Sequence, residues 1–282
     1  MKNRFRSRPA VPALSWRRAL TVAAIATALS APATRARATA YDIGFDAYGG
    51  GLFLAHGLLQ LTLGPLPEGR RYDARLDASG NSIITFFTGF SYQATATGAI
   101  ARPAVAPEAF WSERTLHARH DVMALRFNGD DVEVAADPPL SPEKAARVPA
   151  ESRRGSVDPL SVGIAVIAAA SSATPCHGTY PIFDGRRRYD LTMTAVGPTV
   201  LAPTSRSMAS GPALECSVLL HPVAGFQTDQ DPGKFFADHV DRRATVWFAA
   251  LRPGDPVVPV RVQVETNFGT FFVHAVSITT KQ

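Results

Sequence analysis

The chain has 282 residues, of which 46% are hydrophobic and 19% charged, and a formal charge of +5. That composition excludes a largely disordered chain and supplies enough apolar side chains for a full core. Residues 1–40 hold eight basic residues and no acid, so the rest of the chain carries 21 basic against 24 acidic residues, a net of −3, and lacks the positive field that nucleic acid or anionic lipid would need, the basic excess reflecting targeting rather than binding.

Residues 1–40 read as a cleaved signal peptide. Lys2, Arg4, Arg6, Arg8, Arg17 and Arg18 form a basic region, an apolar run follows over residues 19–29, and Ala31-Pro32-Ala33 and Ala38-Thr39-Ala40 offer small-residue sites for cleavage after Ala33 or Ala40. The apolar run is about half of the roughly 20 residues that a membrane-spanning helix needs. Arg17-Arg18 is a weak twin-arginine address, because Ala19-Leu20-Thr21 match that signal poorly. No Cys follows either cleavage site, so a lipid anchor is not expected. The expectation is a periplasmic protein, soluble after cleavage and without a transmembrane span.

Residues 41–282 read as a single β-rich domain. Ile43, Phe45 and Ala47 alternate with Asp42, Gly44 and Asp46 in a half-buried strand that ends at Gly49-Gly50-Gly51. Residues 54–63 are its partner, and Tyr72, Ala74, Leu76 and Ala78 alternate with Asp73, Arg75 and Asp77 in a third strand, which makes an antiparallel meander. Residues 81–90 fit a helical stripe and a buried strand equally, with a lean towards one or two helical turns. Residues 91–100, 114–120, 122–128 and 132–136 supply further strands, with a turn at Gly129-Asp130. Four prolines over residues 137–157 predict a long loop. Asp158-Pro159 is a cap and first-turn pair, and the apolar run that follows to Ala170 predicts a helix buried against the sheet.

Beyond it, Asp184-Gly185 is the pair favoured by a two-residue hairpin turn between strands at 180–183 and 186–195. Residues 213–221 return the chain, Asp231-Pro232 suits the start of a short helix, and strands at 245–251, 257–265 and 270–279 close it. Val258, Val260, Val262 and Val264 give the cleanest alternation of all. The fold class is therefore mainly β: a curved antiparallel sheet, half-open barrel or β-spiral, with one buried helix and minor helical turns. Cys176 and Cys216, two cysteines in an exported chain, are read as one disulfide.

The chemistry-bearing patterns are thin. Ser141-Pro142-Glu143-Lys144 has the S-x-x-K spacing of serine acyl-enzymes, but S-D-N and K-T-G elements are absent and Ser-Pro-Glu is equally a helix start. G-x-S-x-G, H-E-x-x-H, Walker A and dinucleotide-binding patterns are missing. His117 and His120, placed on one strand, would point to opposite faces and bind no common metal. Arg186, Arg187 and Arg188 suit either an anion or pairing with Asp184 or Asp190, and the pairing role is favoured. No catalytic residue, metal ligand or cofactor site is assigned.

At this point the sequence resembles a known family. Asp158-Pro159-Leu160-Ser161 before the helix, Cys176, the run Phe183-Asp184-Gly185-Arg186-Arg187-Arg188-Tyr189-Asp190-Leu191, Cys216 and Val258-Pro259-Val260-Arg261 look like the pattern of a bacterial exported family, domain of unknown function 3108. The resemblance implies a periplasmic β-rich protein with no established enzymatic activity, distantly similar in shape to the half-open barrels of lipoprotein carriers and to β-spiral envelope-integrity proteins. The lipid-anchored Cys of the outer-membrane lipoprotein receptor is lacking here.

The expected function is a non-catalytic cell-envelope protein that binds a lipid acyl chain or a partner peptide in the concavity of the sheet and contributes to envelope integrity. Phe86, Phe87, Phe90, Phe235, Phe236, Phe271 and Phe272 motivate an apolar ligand. The alternative is a hydrolase or transferase acting on an envelope polymer, which requires carboxylates brought together by folding.

Overall fold

The computed structural model describes residues 38–101, 104–170, 176–226, 242–253, 255–266 and 269–281. Residues 1–37 of the expected signal peptide and the expected helical start at Asp231-Pro232 lie outside them. The first half of the domain comprises β1 (Thr39–Gly49), β2 (Leu52–Pro65), β3 (Arg70–Gly80), α1 (Ser82–Thr88), β4 (Ser91–Ala101), β5 (Ala104–Leu116), β6 (Arg119–Asn128) and β7 (Asp131–Asp137). Three helices follow, α2 (Pro142–Ala146), α3 (Ala150–Arg153) and α4 (Pro159–Ala170). The second half is β8 (Gly178–Phe183), β9 (Arg188–Leu201), β10 (Gly211–Ala224), β11 (Arg242–Ala249), β12 (Val258–Thr266) and β13 (Gly269–Lys281).

These strands form one open antiparallel sheet of 13 strands in the order β7-β6-β5-β4-β3-β2-β1-β13-β12-β11-β10-β9-β8. Each half is a meander, and the two join where the first strand pairs with the last, Ile43 opposite Ile278 and Phe45 opposite Ala275. The sheet curls without closing. Its edges β7 and β8 share no ladder, and the chain between α3 and α4 lies in the gap: Gly155 N–H donates to Asp130 O at 2.8 Å, and Val157 makes a parallel bridge to Ile182 of β8. The curl brings the β8–β9 loop against β6, where a Cβ on Gly185 would collide with the Met123 side chain and Arg186 pairs with Asp121 at 3.0 Å.

The strand alternation decides what faces inward. Ala94, Ala96, Gly98 and Ile100 of β4 are buried while their neighbours are not, and Tyr72 and Ala74 of β3 are fully buried. This floor of small residues admits a helix, and α4 packs against β4, β5, β8 and β12, strands from both halves. Ile164 of α4 joins Ile43, Leu61, Phe110 and Val260 in the main core. A second cluster, Met193, Val218 and Phe248, surrounds the disulfide that joins Cys176 to Cys216, with a Cα–Cα distance of 5.9 Å.

Three local expectations change. The 114–120 strand is a hairpin corner, because His117 and Ala118 both take positive φ, 49° and 60°, in a two-residue turn that normally selects Asn-Gly. That turn follows β5, whose Pro107 sits at the register shift between Thr97 and Gly98 and therefore costs no ladder bond in a regular run. Residues 137–157 are not one long loop: Ser141 caps α2, with Pro142 in its first turn, and α3 follows. Asp184-Gly185 is not a two-residue turn either. Phe183 pairs with Arg188 across a loop of residues 184–187, and Asp184 Oδ1 accepts from the backbone N–H groups of Arg186 and Arg187 at 2.8 and 2.7 Å, so the Asp side chain itself organises the longer loop.

Candidate functional site

Beside the last described turns of α4 lie the inner face of β1 to β4 and the start of β12. The result is a cleft of about 550 Å³. Its walls are Ile43 of β1, Leu61 and Leu63 of β2, Ile100 of β4, Val258 of β12 and Ile167 of α4, with Tyr41 beside them. Glu68 and Arg70, at the connection between β2 and β3, are its charged members. The inward alternation of Tyr41, Ile43 and of Leu59, Leu61, Leu63 puts these aliphatics there, since every second residue of a strand faces one side.

Deeper in the interior the polar groups are structural. Asp158 caps α4, its Oδ1 accepting from Ser161 N–H at 2.8 Å and its Oδ2 from Ser161 Oγ at 2.5 Å, and Tyr72 OH lies 2.6 Å from the same Oγ. Glycine at position 98 makes room for that hydroxyl, because a Cβ would meet it and the Ala106 carbonyl. Burial pushes the Asp158 carboxyl up to about 6, against the Ser161 hydrogen bonds that favour its charged form. Burial likewise raises Asp184, opposed by the Arg186 and Arg187 amides. Neither carboxyl lines the cleft.

The residues singled out in the sequence disperse. Ser141 Oγ accepts from Lys144 backbone N–H at 3.3 Å, a capping contact rather than a nucleophile and its base. His117 lies in the β5–β6 turn and His120 beside Glu113 at 3.5 Å, so the two do not share a strand as expected. Among the described residues no group of three or more His, Cys, Asp and Glu stands close enough to hold a metal ion. The three arginines serve three separate contacts: Arg186 pairs with Asp121, Arg188 with Asp190 at 2.7 Å, and Arg187 lies 5.8 Å over the Phe226 ring. Asp121 is held below the usual carboxylate range, since burial would raise it but Arg114 and Arg186 donate to it and outweigh that.

None of the described phenylalanines lines the cleft. Phe86, Phe87, Phe90, Phe271 and Phe272 are not among the residues lining the cleft, and Phe235 and Phe236 lie outside the described residues. Aliphatic residues of β1, β2, β4 and α4 form it instead. Their only sequence signal is the period-two pattern, which marks inward positions without marking those that border the cleft.

The family model described as protein of unknown function, DUF3108, matches residues 41–276. The chain belongs to the DUF3108 family. The match begins at the first strand and runs into the last, so the whole curled sheet is the family's domain. A crystal structure of a β-barrel-like protein of domain of unknown function DUF1849 from Brucella abortus is similar at 10% identity and a TM-score of 0.46, over 88% of this chain and 100% of that one. No curated protein matches this sequence. Among the described residues no helix is long and apolar enough to cross a membrane.

Proposed function

We propose that this DUF3108 protein is a non-catalytic periplasmic envelope protein that holds an acyl chain in the cleft beside α4 and so contributes to envelope integrity. The cleft itself supports the reading: about 550 Å³ bounded by aliphatic side chains from four strands and a helix. Small-molecule sites are concave, mostly apolar and on the order of 300–1,000 Å³. Arg70 at the cleft supplies a cation for an acidic headgroup, and each methylene taken from water contributes about 0.8 kcal/mol. The export-type segment and the disulfide support the periplasm as its place.

The enzyme alternative draws on Asp158 and Asp184, whose carboxyls are both raised by burial. Each of them is engaged in holding a helix or a loop, which supports the carrier over the hydrolase. The reading is tested by titrating the folded protein with a long-chain fatty acid against an environment-sensitive dye. Saturable dye binding displaced by the fatty acid, and lost in Ala168→Phe, whose added ring fills the cleft, is the expected result. Dye binding unchanged by Ala168→Phe, or none at all, contradicts it.

A further inference from the structure

A group of large apolar side chains stands in solvent at the opposite end of β1 to β4 from the cleft. Phe86 is 82% exposed, Phe87 74%, Leu52 70%, Ile83 67% and Phe53 38%. These residues are held rather than loose. Asn81 caps α1 by accepting from Ile84 N–H at 2.8 Å, Gly89 closes it in the left-handed conformation, and the Phe86 and Phe87 rings meet edge to face at 5.2 Å. Asn81 also ties α1 to the β1–β2 hairpin, its N–H donating to Leu54 O at 2.7 Å and its Nδ2 to Phe53 O. The β5–β6 turn joins through His117 N–H to Thr88 O at 2.5 Å. Arg206 completes the group by donating to Gly51 O at 2.9 Å and lying 5.0 Å over the Tyr48 ring.

The segments that carry the apolar group hold exposed cations. The four segments that build it, residues 48–54, 81–90, 116–120 and 202–208, contain no Asp or Glu, and they carry Arg119, Arg206, His117 and His120, all exposed. Acids on the adjoining strands are engaged: Asp46 with His56 at 2.7 Å, Glu113 with His120, and Asp121 with Arg114 at 2.9 Å. Asp137 lies on β7, and Glu265 stands at this end on β12, one residue beyond the Gly49–Phe271–Val264 row. The net of −3 read from the sequence does not describe these four segments, which hold Arg119 and Arg206 and no acid.

We propose that this end of the sheet docks on an anionic phospholipid surface, with Phe86, Phe87, Ile83 and Leu52 entering the boundary between headgroups and acyl chains and Arg119 and Arg206 meeting the phosphates. An interface of this kind offers apolar depth and negative charge together, which is what the exposed side chains require. A second copy of the chain would set Arg119 and Arg206 against their own kind. The cleft opens at the far end of the same strands: ten residue steps of β3 separate Arg70 from Gly80, roughly 30 Å at the usual strand rise. Docking and cleft binding are therefore separable.

The test is sedimentation of the protein with phosphatidylglycerol-containing vesicles and with phosphatidylcholine vesicles, using wild type, Phe86→Ser/Phe87→Ser, Arg119→Glu and Ala168→Phe. The expected result is preference for the anionic vesicles, weakened about tenfold or more by the double serine change and about fivefold by Arg119→Glu, with Ala168→Phe unchanged. In Phe86→Trp, the added emission should be quenched by brominated phospholipid, which reports entry of this end even where another segment also tethers the chain. Vesicle binding insensitive to the serine changes, or Phe86→Trp emission indifferent to brominated lipid, overturns the proposal. So does a concentration-dependent dimer that the serine changes dissolve, which would assign the surface to a second copy.

Discussion

Asp158 shows how one buried carboxyl supports the interior. It satisfies the first turn of α4 and, through Ser161 Oγ, anchors the Tyr72 hydroxyl of β3. Replacing Asp158 with Ala removes a helix cap and leaves Ser161 short of a partner, so equilibrium unfolding in urea should show a loss of about 2 kcal/mol or more. The folded-state pKa of Asp158 is raised from 3.8 to about 6, so the native protein binds this proton more tightly than the unfolded chain. Its contribution is therefore most favourable at low pH and declines as pH rises towards and past about 6. Unfolding compared across that window should favour Asp158→Asn over wild type progressively, by of order 1–3 kcal/mol at neutral pH relative to acid. A difference independent of pH contradicts the assignment. Asp158-Pro159 was legible as a cap, since a short polar side chain before Pro is a local signal. Its contact with Tyr72 was not, because Ser161 and Tyr72 stand 89 residues apart and nothing local couples them.

Among the elements, α4 packs against strands of both halves of the sheet, and the disulfide ties the start of the second half, before β8, to β10. Ile164 is 1% exposed and lies in the core shared by both, so Ile164→Ala should destabilise by about 2–5 kcal/mol in denaturant unfolding, with the upper end expected where the strands cannot collapse into the cavity. Cys176–Cys216 closes a separation of 40 residues, and the chain-entropy relation gives about 4 kcal/mol before strain. Non-reduced peptide mapping should recover one linked pair, and Cys176→Ala/Cys216→Ala should lose about 2–5 kcal/mol. Two free thiols in the native protein would contradict it. Most strands were readable because inward and outward residues alternate, as along β1, β3 and β12. β5 and its turn were not, since Pro107 hides at a bulge and His117-Ala118 adopt a conformation their side chains do not advertise. Asp184-Gly185 misled in the other direction, because the Asp carboxylate accepts from the amides two and three residues on and draws Arg186 and Arg187 into the loop.

At the scale of the whole domain, alternation predicts a curved sheet with a helix against it, and a 13-stranded open sheet around α4 is what forms. Alternation does not say that β1 closes on β13, a pairing between the two ends of the domain whose register depends on how far the sheet coils. Nor does it say how α4 sits against the strands, and the cleft is formed where Ile167 and Ala168 face them. The apolar cleft at Ile43, Leu61, Ile100 and Ile167 is thus a property of the assembled sheet. Native mass spectrometry of the protein taken directly from the envelope tests the central claim most directly. The account predicts an added mass in the range of an acyl lipid, released by organic solvent and absent from Ala168→Phe. A single ligand-free mass for wild type, unchanged after incubation with fatty acid, would contradict it.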